Sequence, residues 1–401
     1  MTMTLAGNAS TNSRGHRPLP SGAVSARTVE ACGVSEYVEF SYSDGHTDKR
    51  RLLSWVGGQA GLLWANTLCG DYLPETIMDV IDATSGDSPG SYGHAAEHAL
   101  ADELGQALAG VFPSDDLACR FYQSGGEALA AAARLARHKT GRGEVASCGY
   151  HGAGAEWAHL PNTAGIPDST IRLHRRFEWG NNSAVWALAR ECAAICVEVP
   201  ALDDEAAIAA FLRECRQACD RGGAVFILDE VVTGFRLSLG GAAQRYGVKP
   251  DIACYGKAMS ATGCVSAVVG LRELVEPIGG DVFYSTTFGG SPAPCAVAAA
   301  TVKWLRENEW STYEHIGAIG HILKDGYNEL GIPCVGQFER SSFAFPDDKM
   351  WLAFCSEMIH RGIMVHRPNF PTMVHRISDT EITLAAAKDA IVAAREALAS
   401  G

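Results

Sequence analysis

The feature that most constrains the fold is a stretch, residues 224–257, with two short apolar runs that each lead into a charged residue. The first run, residues 224–228, ends directly before Asp229. The second run, residues 252–255, is followed after one glycine by Lys257. Short continuous apolar runs are typical of strands buried on both faces of a parallel sheet. Because active sites of such sheets form at the carboxyl ends of the strands, we expect Asp229 and Lys257 to lie at one edge of the sheet.

An acid and an amine at neighbouring strand ends are the two groups that a pyridoxal phosphate (PLP) cofactor requires. A lysine holds the aldehyde of PLP as a Schiff base, and a carboxylate keeps the pyridine nitrogen protonated so that the ring can accept electrons. Lys257 and Asp229 fit these two roles. Taken singly, a strand-end Asp more often caps a helix and a Lys more often lies in solvent. The prediction of PLP therefore depends on the sequence around the pair.

That sequence resembles the class III PLP-dependent aminotransferases of fold type I, and in particular their glutamate-1-semialdehyde 2,1-aminomutase-like branch. The resemblance is carried by DEVVTGFR from Asp229, by GGAAQRYGVKPDI and by the GKA that contains Lys257. It covers residues 95–401 and implies an α/β fold, with a large domain whose mostly parallel sheet is flanked by helices, plus a smaller α/β domain. The expected parts are a mobile N-terminal arm at 1–25, an N-terminal segment of the small domain at 26–75, a large PLP-binding domain at 76–305 and a C-terminal small α/β domain at 306–401.

A second motif follows a predicted strand at residues 117–123, where Ser124, Gly125 and Gly126 precede an alanine-rich helix that ends near residues 140–141. Free backbone N–H groups and the helix dipole make such a turn an anion site, and we assign the cofactor phosphate to it. An ordinary N-cap by Ser124 would give the same pattern. The stretch resembles the family's SGTEA, RLAR and TGR motifs, with Gly126 at the family's threonine. A hydroxyl is lost there, but the backbone N–H that a phosphate needs most remains.

The resemblance assigns further residues to the cofactor. Tyr150, in a YHG motif, would stack on the pyridine ring, and Val231 would pack on the opposite ring face. His151 is expected to be structural or to act from behind the site, where it would support the site residues without touching the cofactor. Glu198 ends an apolar run and is a predicted site residue whose role stays open. It would hydrogen-bond near the cofactor, gate substrate charge, or pair structurally with an arginine. Thr287 matches the family's threonine loop, which implies a homodimer with a shared active site.

Local signals predict several further elements. Asp44 and Gly45 predict a hairpin turn, and leucines at spacing four after Glu97 predict an amphipathic helix. Ser378 and Glu381 have the spacing of a capping box for the closing helix. Further strands are expected at 266–270 and near residues 334 and 342, and further helices at 311–330 and 347–361.

Charge and cysteine content bear on partners and location. The formal net charge of −13 and the absence of any Lys/Arg-rich run argue against a nucleic-acid surface. No apolar run of about 18 residues and no apolar leader segment are present, so neither a membrane span nor a secretory signal is expected. The 13 cysteines are scattered without a CxxC pair, which predicts free thiols rather than a metal site. Free thiols in this number predict a reducing, cytoplasmic location.

The predicted function is a PLP-dependent aminotransferase acting on a small-molecule amine or carbonyl substrate. A substrate amine would displace Lys257, which then moves a proton between the substrate carbon and the cofactor, while the charge of Asp229 stabilises the carbanion. An intramolecular aminomutase, or a racemase or epimerase on the same scaffold, is the alternative, and a protein that binds PLP without turnover is a third. Arg236 could bind a substrate carboxylate or phosphate, although a structural ion pair is favoured.

Overall fold

The computed structural model describes residues 23–32, 35–55, 74–84, 94–152, 163–261 and 264–400. The chain divides into two compact units, one spanning Pro74–Glu309 and a second combining Met1–Leu73 with Trp310–Gly401. Most of the predicted N-terminal arm, residues 1–25, lies outside the described residues. The domain boundaries and roles expected from the sequence stay predictions.

The secondary-structure elements are named in chain order. The strands are β1 (Ala23–Cys32), β2 (Ser35–Tyr42), β3 (Thr47–Ser54), β4 (Leu117–Tyr122), β5 (Val145–Cys148), β6 (His174–Arg176), β7 (Ala194–Glu198), β8 (Val225–Glu230), β9 (Ile252–Tyr255), β10 (Ser266–Leu271), β11 (Cys334–Gln337), β12 (Arg340–Phe343), β13 (Ile363–Met364) and β14 (Pro368–Asn369). The helices are α1 (Glu75–Thr84), α2 (His94–Ala107), α3 (Gly125–Thr140), α4 (Asp168–Ile171), α5 (Asn182–Glu191), α6 (Glu205–Gly222), α7 (Gly241–Tyr246), α8 (Arg272–Val275), α9 (Pro292–Glu307), α10 (Glu309–Glu329), α11 (Asp348–His360) and α12 (Ile377–Ser400).

A seven-stranded sheet in the order β4-β10-β9-β8-β7-β5-β6 forms the centre of the Pro74–Glu309 unit. Strands β6, β5, β7, β8 and β9 run parallel, whereas β10 is antiparallel to both β9 and β4. The predicted α/β fold with a large, mostly parallel sheet flanked by helices is confirmed. The strand expected at 266–270 is confirmed too, and it lies between β4 and β9. The parallel strands bring the carboxyl ends of β7, β8 and β9 to one edge of the sheet.

Apolar side chains on both faces explain why these strands occupy the middle of the sheet. Every residue of β5, β8 and β9 is buried, as is every residue of β10 except its last. Helix α3 covers the sheet with alanines, and Ala128, Ala131 and Ala132 belong to the same buried cluster as Cys254 and Val268. Small side chains let the helix axis approach the strands closely.

The second unit contains the predicted hairpin, formed by β2 and β3. Its turn is closed by Gly45 N–H, which donates to Tyr42 O at 3.0 Å, and by Tyr42 N–H, which donates to His46 O at 3.0 Å. Gly45 has φ 87°, a conformation that favours glycine. Strand β1, which the sequence did not predict, pairs antiparallel with β2, and β13 pairs parallel with β3. A separate sheet has the order β11-β12-β14.

The closing helix begins differently from the prediction. Helix α12 starts at Ile377, so Ser378 lies inside the helix and the expected capping box with Glu381 is wrong. The side chain of Asp379 instead accepts a hydrogen bond from Arg376 N–H at 2.7 Å. An acid in the first turn satisfies a free N–H group as a capping serine would. Across the described parts of the chain, no helix has the length and apolar content that a membrane crossing requires.

Candidate active site

Asp229 is the second-last residue of strand β8, with 3% of its surface exposed. Its Oδ2 is 2.8 Å from Nδ1 of His151, which is equally buried, and its Oδ1 accepts the backbone N–H of Val231 at 3.0 Å. An ionised carboxylate can only accept, so His151 donates from Nδ1–H. Buried carboxylates require such donors, because water no longer solvates them. The two bonds fix the orientation of the Asp229 carboxylate.

Glu230, the neighbouring acid, is engaged elsewhere. Its fully buried carboxylate accepts hydrogen bonds from the Thr233 hydroxyl and from the N–H groups of Ala242 and Ala243, the latter two at 3.0 and 2.8 Å. Gly241 has φ 72°, and a Cβ there would overlap the carboxylate. Burial raises the pKa of Glu230 to about 7, although the hydrogen bonds from these donors lower it. Glu230 therefore holds the start of α7, and Asp229 is the acid that remains for the site.

Lys257 follows strand β9, which pairs with β8 through Asp229 and Cys254. The lysine is partly buried and has φ 49°, and the only other described non-glycine residue with positive φ is Phe235. Such a conformation costs about 1–3 kcal/mol and is concentrated at functional sites. The preceding Gly256 lies close to β10, since a Cβ there would lie 2.8 Å from Ser266 Oγ. The structure thus places the predicted acid and amine at the ends of adjacent strands.

The turn between β4 and α3 is a capped helix start. Glu127 N–H donates to Ser124 Oγ at 3.4 Å, while Gln123 and Ser124 each donate a backbone N–H to Glu127 Oε2 at 3.0 Å. The N-cap alternative for Ser124 is therefore present as a full capping box. The cap uses the third N–H of the helix, and the N–H groups of Gly125 and Gly126, at the first two positions, have no acceptor within the helix. An anion at this turn would accept hydrogen bonds from these two N–H groups.

The glycines of this turn form a narrow cradle. A Cβ at Gly125 would lie 2.8 Å from both methyl groups of Val231, and a Cβ at Gly152 would lie 3.1 Å from the Cα of Gly126. A Cβ at Gly126 itself would meet nothing within 4 Å, so the family's threonine would fit there without a clash. The turn, Val231 and the Asp229 end of β8 therefore adjoin one another. A buried carboxylate, a strand-end lysine and an anion turn are the set that PLP requires, and the residues present fit it.

The loop after β5 carries two more predicted positions. Tyr150 has 41% of its surface exposed, and its backbone N–H donates to Glu198 Oε2 at 2.8 Å. Gly149 has φ 113°, and a Cβ there would lie 2.6 Å from Glu198 Cβ. Glu198 pairs in register with Asp229 across β7 and β8. The observed contact of Glu198 is thus to the backbone that presents the Tyr150 ring.

Two further residues were singled out by the sequence. Thr287 is exposed on the loop before α9. Arg236 is completely buried, which supports a structural role over a substrate contact.

Sequence reasoning did not identify the partner of His151. It expected this histidine to be structural or to act from behind the site, and the structure joins it to Asp229. The signal lay in the YHG motif at the end of β5, but its use required the strand order β8-β7-β5, which brings the loop after β5 near the end of β8. Sequence position alone does not supply that order.

The fold and the residues at the sheet edge define the class of a PLP-dependent transferase of fold type I. The family model described as Aminotransferase class-III matches residues 184–340. A glutamate-1-semialdehyde 2,1-aminomutase of Nitratidesulfovibrio vulgaris is 31% identical over 368 residues, which cover 82% of this chain and 85% of the relative. The enzyme of the same name from Halorubrum lacusprofundi is 32% identical over 302 residues, which cover 71% of this chain and 65% of the relative.

A solved structure, the PLP internal aldimine form of the FumI protein of Sphingopyxis sp. MTA144, superposes with a TM-score of 0.77 at 24% identity and covers 96% of this chain and 93% of that protein. The fold is therefore shared with a PLP protein. The chain belongs to the class-III aminotransferase family, in the glutamate-1-semialdehyde aminomutase-like branch, and it is a PLP-dependent enzyme.

Proposed function

We propose that this enzyme exchanges an amine and a carbonyl group on a small-molecule substrate, with Lys257 as the residue that holds the cofactor and carries the proton. The observation that supports this most directly is the position of Lys257 and Asp229 at the ends of two adjacent parallel strands, β9 and β8. PLP, when bound, supplies an electron sink for negative charge that develops on the substrate carbon. The chain supplies the groups that bind, orient and move protons.

The catalytic roles follow from these positions. With PLP bound, the Nζ of Lys257 would hold the cofactor aldehyde and would carry a proton to and from the reacting carbon. Asp229 would supply the negative charge that keeps the pyridine nitrogen protonated, in the orientation that His151 and the Val231 N–H impose.

Binding roles are assigned to the surrounding residues. The phosphate would accept hydrogen bonds from the backbone N–H groups of Gly125 and Gly126, in the turn that begins at Ser124. Tyr150 and Val231 would flank the two faces of the ring, and aromatic stacking contributes about 0.5–1.5 kcal/mol beyond burial. Glu198 would keep Tyr150 in place through its bond to the backbone N–H.

The test is a lysine substitution with a matched control. We expect the purified protein to be yellow and Lys257→Ala to remain folded but to lose both colour and turnover. Lys249→Ala is the control, because Lys249 is an exposed residue in the loop before β9. Turnover of the Lys257→Ala variant at the wild-type rate would show that another residue holds the cofactor.

An intramolecular aminomutase is the second candidate, because the two relatives described above carry that name. A racemase or epimerase on the same scaffold would use the same lysine. The enzyme should be assayed with glutamate-1-semialdehyde alone, and with a panel of L-amino acids in the presence and absence of pyruvate. Turnover that requires the keto acid identifies an aminotransferase. Isomerisation of glutamate-1-semialdehyde without any acceptor identifies the aminomutase, and inversion of an amino acid identifies the racemase.

We also propose a homodimer in which Thr287 of the partner subunit completes each phosphate site. The exposed position of Thr287 and the small residues around it, TTFGGSPAP, support close approach of a second chain. Thr287 does not cap α9, since that helix begins five residues later at Pro292 with Ser291 in the N-cap position.

Subunit mixing tests the shared site. Chains with Lys257→Ala and chains with Thr287→Asp, in which the new charge repels phosphate, are each inactive as homodimers. If Thr287 acts across the interface, a mixed dimer holds one doubly damaged site and one intact site, so activity reappears after exchange. If Thr287 acts within its own chain, every site keeps one defect, mixing restores nothing, and the shared site is rejected.

The cytoplasm is the proposed location. The cysteines that the structure describes are free thiols, most of them buried. Burial raises the pKa of several of them, including Cys196, Cys219 and Cys254. Protonated, buried thiols are unreactive, and their number favours a reducing compartment.

A further inference from the structure

The loop at residues 283–290, called here the Thr287 loop, is attached to the helix that begins at the phosphate turn. Arg134 of α3 donates from its Nη1 to the carbonyl oxygen of Phe283 at 3.0 Å. The same guanidinium lies 5.0 Å from the centre of the Tyr284 ring. Tyr284 in turn meets Tyr122 of β4 edge-on, with 5.6 Å between the ring centres. The first half of the loop is therefore bound to α3 and β4 by one charged side chain and one aromatic pair.

The second half of the Thr287 loop is held by close contacts at two glycines. A Cβ at Gly289 would lie 2.5 Å from the carbonyl oxygen of Phe121 in β4. A Cβ at Gly290 would overlap the carboxylate of Glu97, which projects from α2. Only glycine leaves room at position 289, because the Phe121 carbonyl belongs to the backbone, whereas the Glu97 side chain that lies against Gly290 could move. Glu97 and the end of β4 thus limit the path of the chain on this side.

Thr287 lies between the two attachments. Gly289 N–H approaches Thr286 O at 3.4 Å, so residues 286–289 form a turn with Thr287 at its first central position. The Thr287 side chain is exposed, and Phe283 is exposed to 80%. The loop therefore presents Thr287 outward from a base that Arg134 and Glu97 hold.

We propose that Arg134 and Glu97 are positioning residues for the cofactor phosphate, which they serve by fixing the loop that presents Thr287. The inference rests on the proposed role of Thr287 at the shared phosphate site. A loop that is ordered before binding does not lose further conformational freedom when the phosphate contacts it. Neither Arg134 nor Glu97 needs to touch the cofactor for this effect.

Arginine is well suited to the task, because one planar group both donates to the Phe283 carbonyl and lies against the Tyr284 ring. Arg137, one turn further along α3, offers a matched control. Its Nε donates to Gly143 O at 2.8 Å, which is again a bond from an arginine to a loop carbonyl, but in a different loop.

A control is also available for the acid. Glu103 lies on the same helix as Glu97, and its Oε2 pairs with Arg306 at 3.0 Å, away from the Thr287 loop. Glu97→Ala, which removes the side chain that lies against Gly290, and Glu103→Ala can therefore be compared as a second pair.

The first experiment measures the PLP dissociation constant of the full-length enzyme by dialysis and titration of the yellow absorbance. We expect Arg134→Met to raise this constant about tenfold, equivalent to about 1.4 kcal/mol, and Arg137→Met to change it less than about twofold. Arg134→Lys should fall between wild type and Arg134→Met, because it keeps the charge without the planar contact. At saturating PLP the kcat of Arg134→Met should return to within about twofold of wild type, since binding restores the loop.

The second experiment mixes Arg134→Met chains with Lys257→Ala chains. The one intact lysine of the mixed dimer then faces the undamaged loop of the other chain, so its PLP dissociation constant should equal that of wild type. Mixing could also leave the raised PLP dissociation constant of Arg134→Met uncorrected. That result would support positioning by Arg134, but the loop would then serve the site of its own chain, and the proposed sharing of the site would fail.

The inference about Arg134 and Glu97 is overturned by a different result. If Thr287→Asp weakens PLP binding while Arg134→Met and Glu97→Ala match their controls Arg137→Met and Glu103→Ala, the loop does not depend on these residues, although the role of Thr287 stands. Equal losses in a variant and its control, together with equally lowered unfolding temperatures, would likewise reduce Arg134 to a general structural role.

Discussion

Replacing His151 tests how the orientation of Asp229 affects catalysis. His151→Leu removes the Nδ1–H donor that lies 2.8 Å from Asp229 Oδ2. Only the Val231 N–H, at 3.0 Å, then remains as a donor identified on that carboxylate. Because His151 and Asp229 are 2% and 3% exposed, water does not easily replace the lost bond. His151→Asn is the matched variant, since its amide nitrogen lies near the position of Nδ1 and keeps a donor there.

A hydrogen bond to a buried charged group contributes about 1.5–3 kcal/mol. At about 1.4 kcal/mol per tenfold change in rate, His151→Leu should lower kcat/KM by about 10- to 150-fold. His151→Asn should stay within about fivefold of wild type. The assay is steady-state turnover at saturating PLP, with the cofactor content of each variant measured by absorbance and its unfolding followed in urea.

The comparison of the two variants separates the effect of the hydrogen bond from the effect of ring packing. A His151→Leu enzyme that turns over within twofold of wild type would show that Asp229 does not need this donor. Equal losses in His151→Leu and His151→Asn would show that ring packing matters and the hydrogen bond does not.

Two further predictions concern the acids at the end of β8 and the packing of helices behind the sheet. Asp229→Asn should lower the rate about a hundredfold or more with little change in stability. Glu230→Gln should lower the free energy of unfolding by about 1–3 kcal/mol, because its amide N–H2 would face the N–H donors of α7. Kinetics and urea unfolding of both variants check this, and the reverse pattern would exchange the roles of the two acids. Arg142→Met should lower the free energy of unfolding by about 3 kcal/mol without changing kcat. The Arg142 guanidinium donates to Ala189 O and Cys192 O at 3.0 Å and to Gly222 O at 2.9 Å, and so joins the ends of α5 and α6. A urea midpoint equal to that of wild type would contradict this prediction.

Local sequence was sufficient to predict much of the large sheet. Continuous apolar runs marked β8 and β9, and the glycine turn after residue 123 marked the start of α3, because strand burial and helix starts depend on neighbouring residues in the chain. The positions of Asp229 and Lys257 at strand ends followed directly. Alternation along β8 could also have separated Asp229 from Glu230, since successive side chains of a strand point to opposite faces.

Contacts between distant segments could not be predicted in the same way. The bond between His151 and Asp229 depends on the order of β5, β7 and β8, and the antiparallel insertion of β10 between β4 and β9 has no local signal. The predicted start of α12 was wrong because Asp379, in the first turn, accepts the N–H of Arg376, which is the part that Glu381 was expected to play toward Ser378. Several residues can satisfy the same free N–H groups, so capping patterns leave the helix start uncertain by a turn.

The most direct test of the central claim is to identify the lysine that bonds to PLP. Borohydride converts the bond between a lysine and the cofactor aldehyde into a stable amine, and peptide mass spectrometry then locates the added mass. We predict that the label lies on the peptide that contains Lys257 and that the Lys257→Ala enzyme carries none. A label on a different lysine in the wild-type enzyme, or an undiminished label in Lys257→Ala, would contradict the assignment of the site to the ends of β8 and β9.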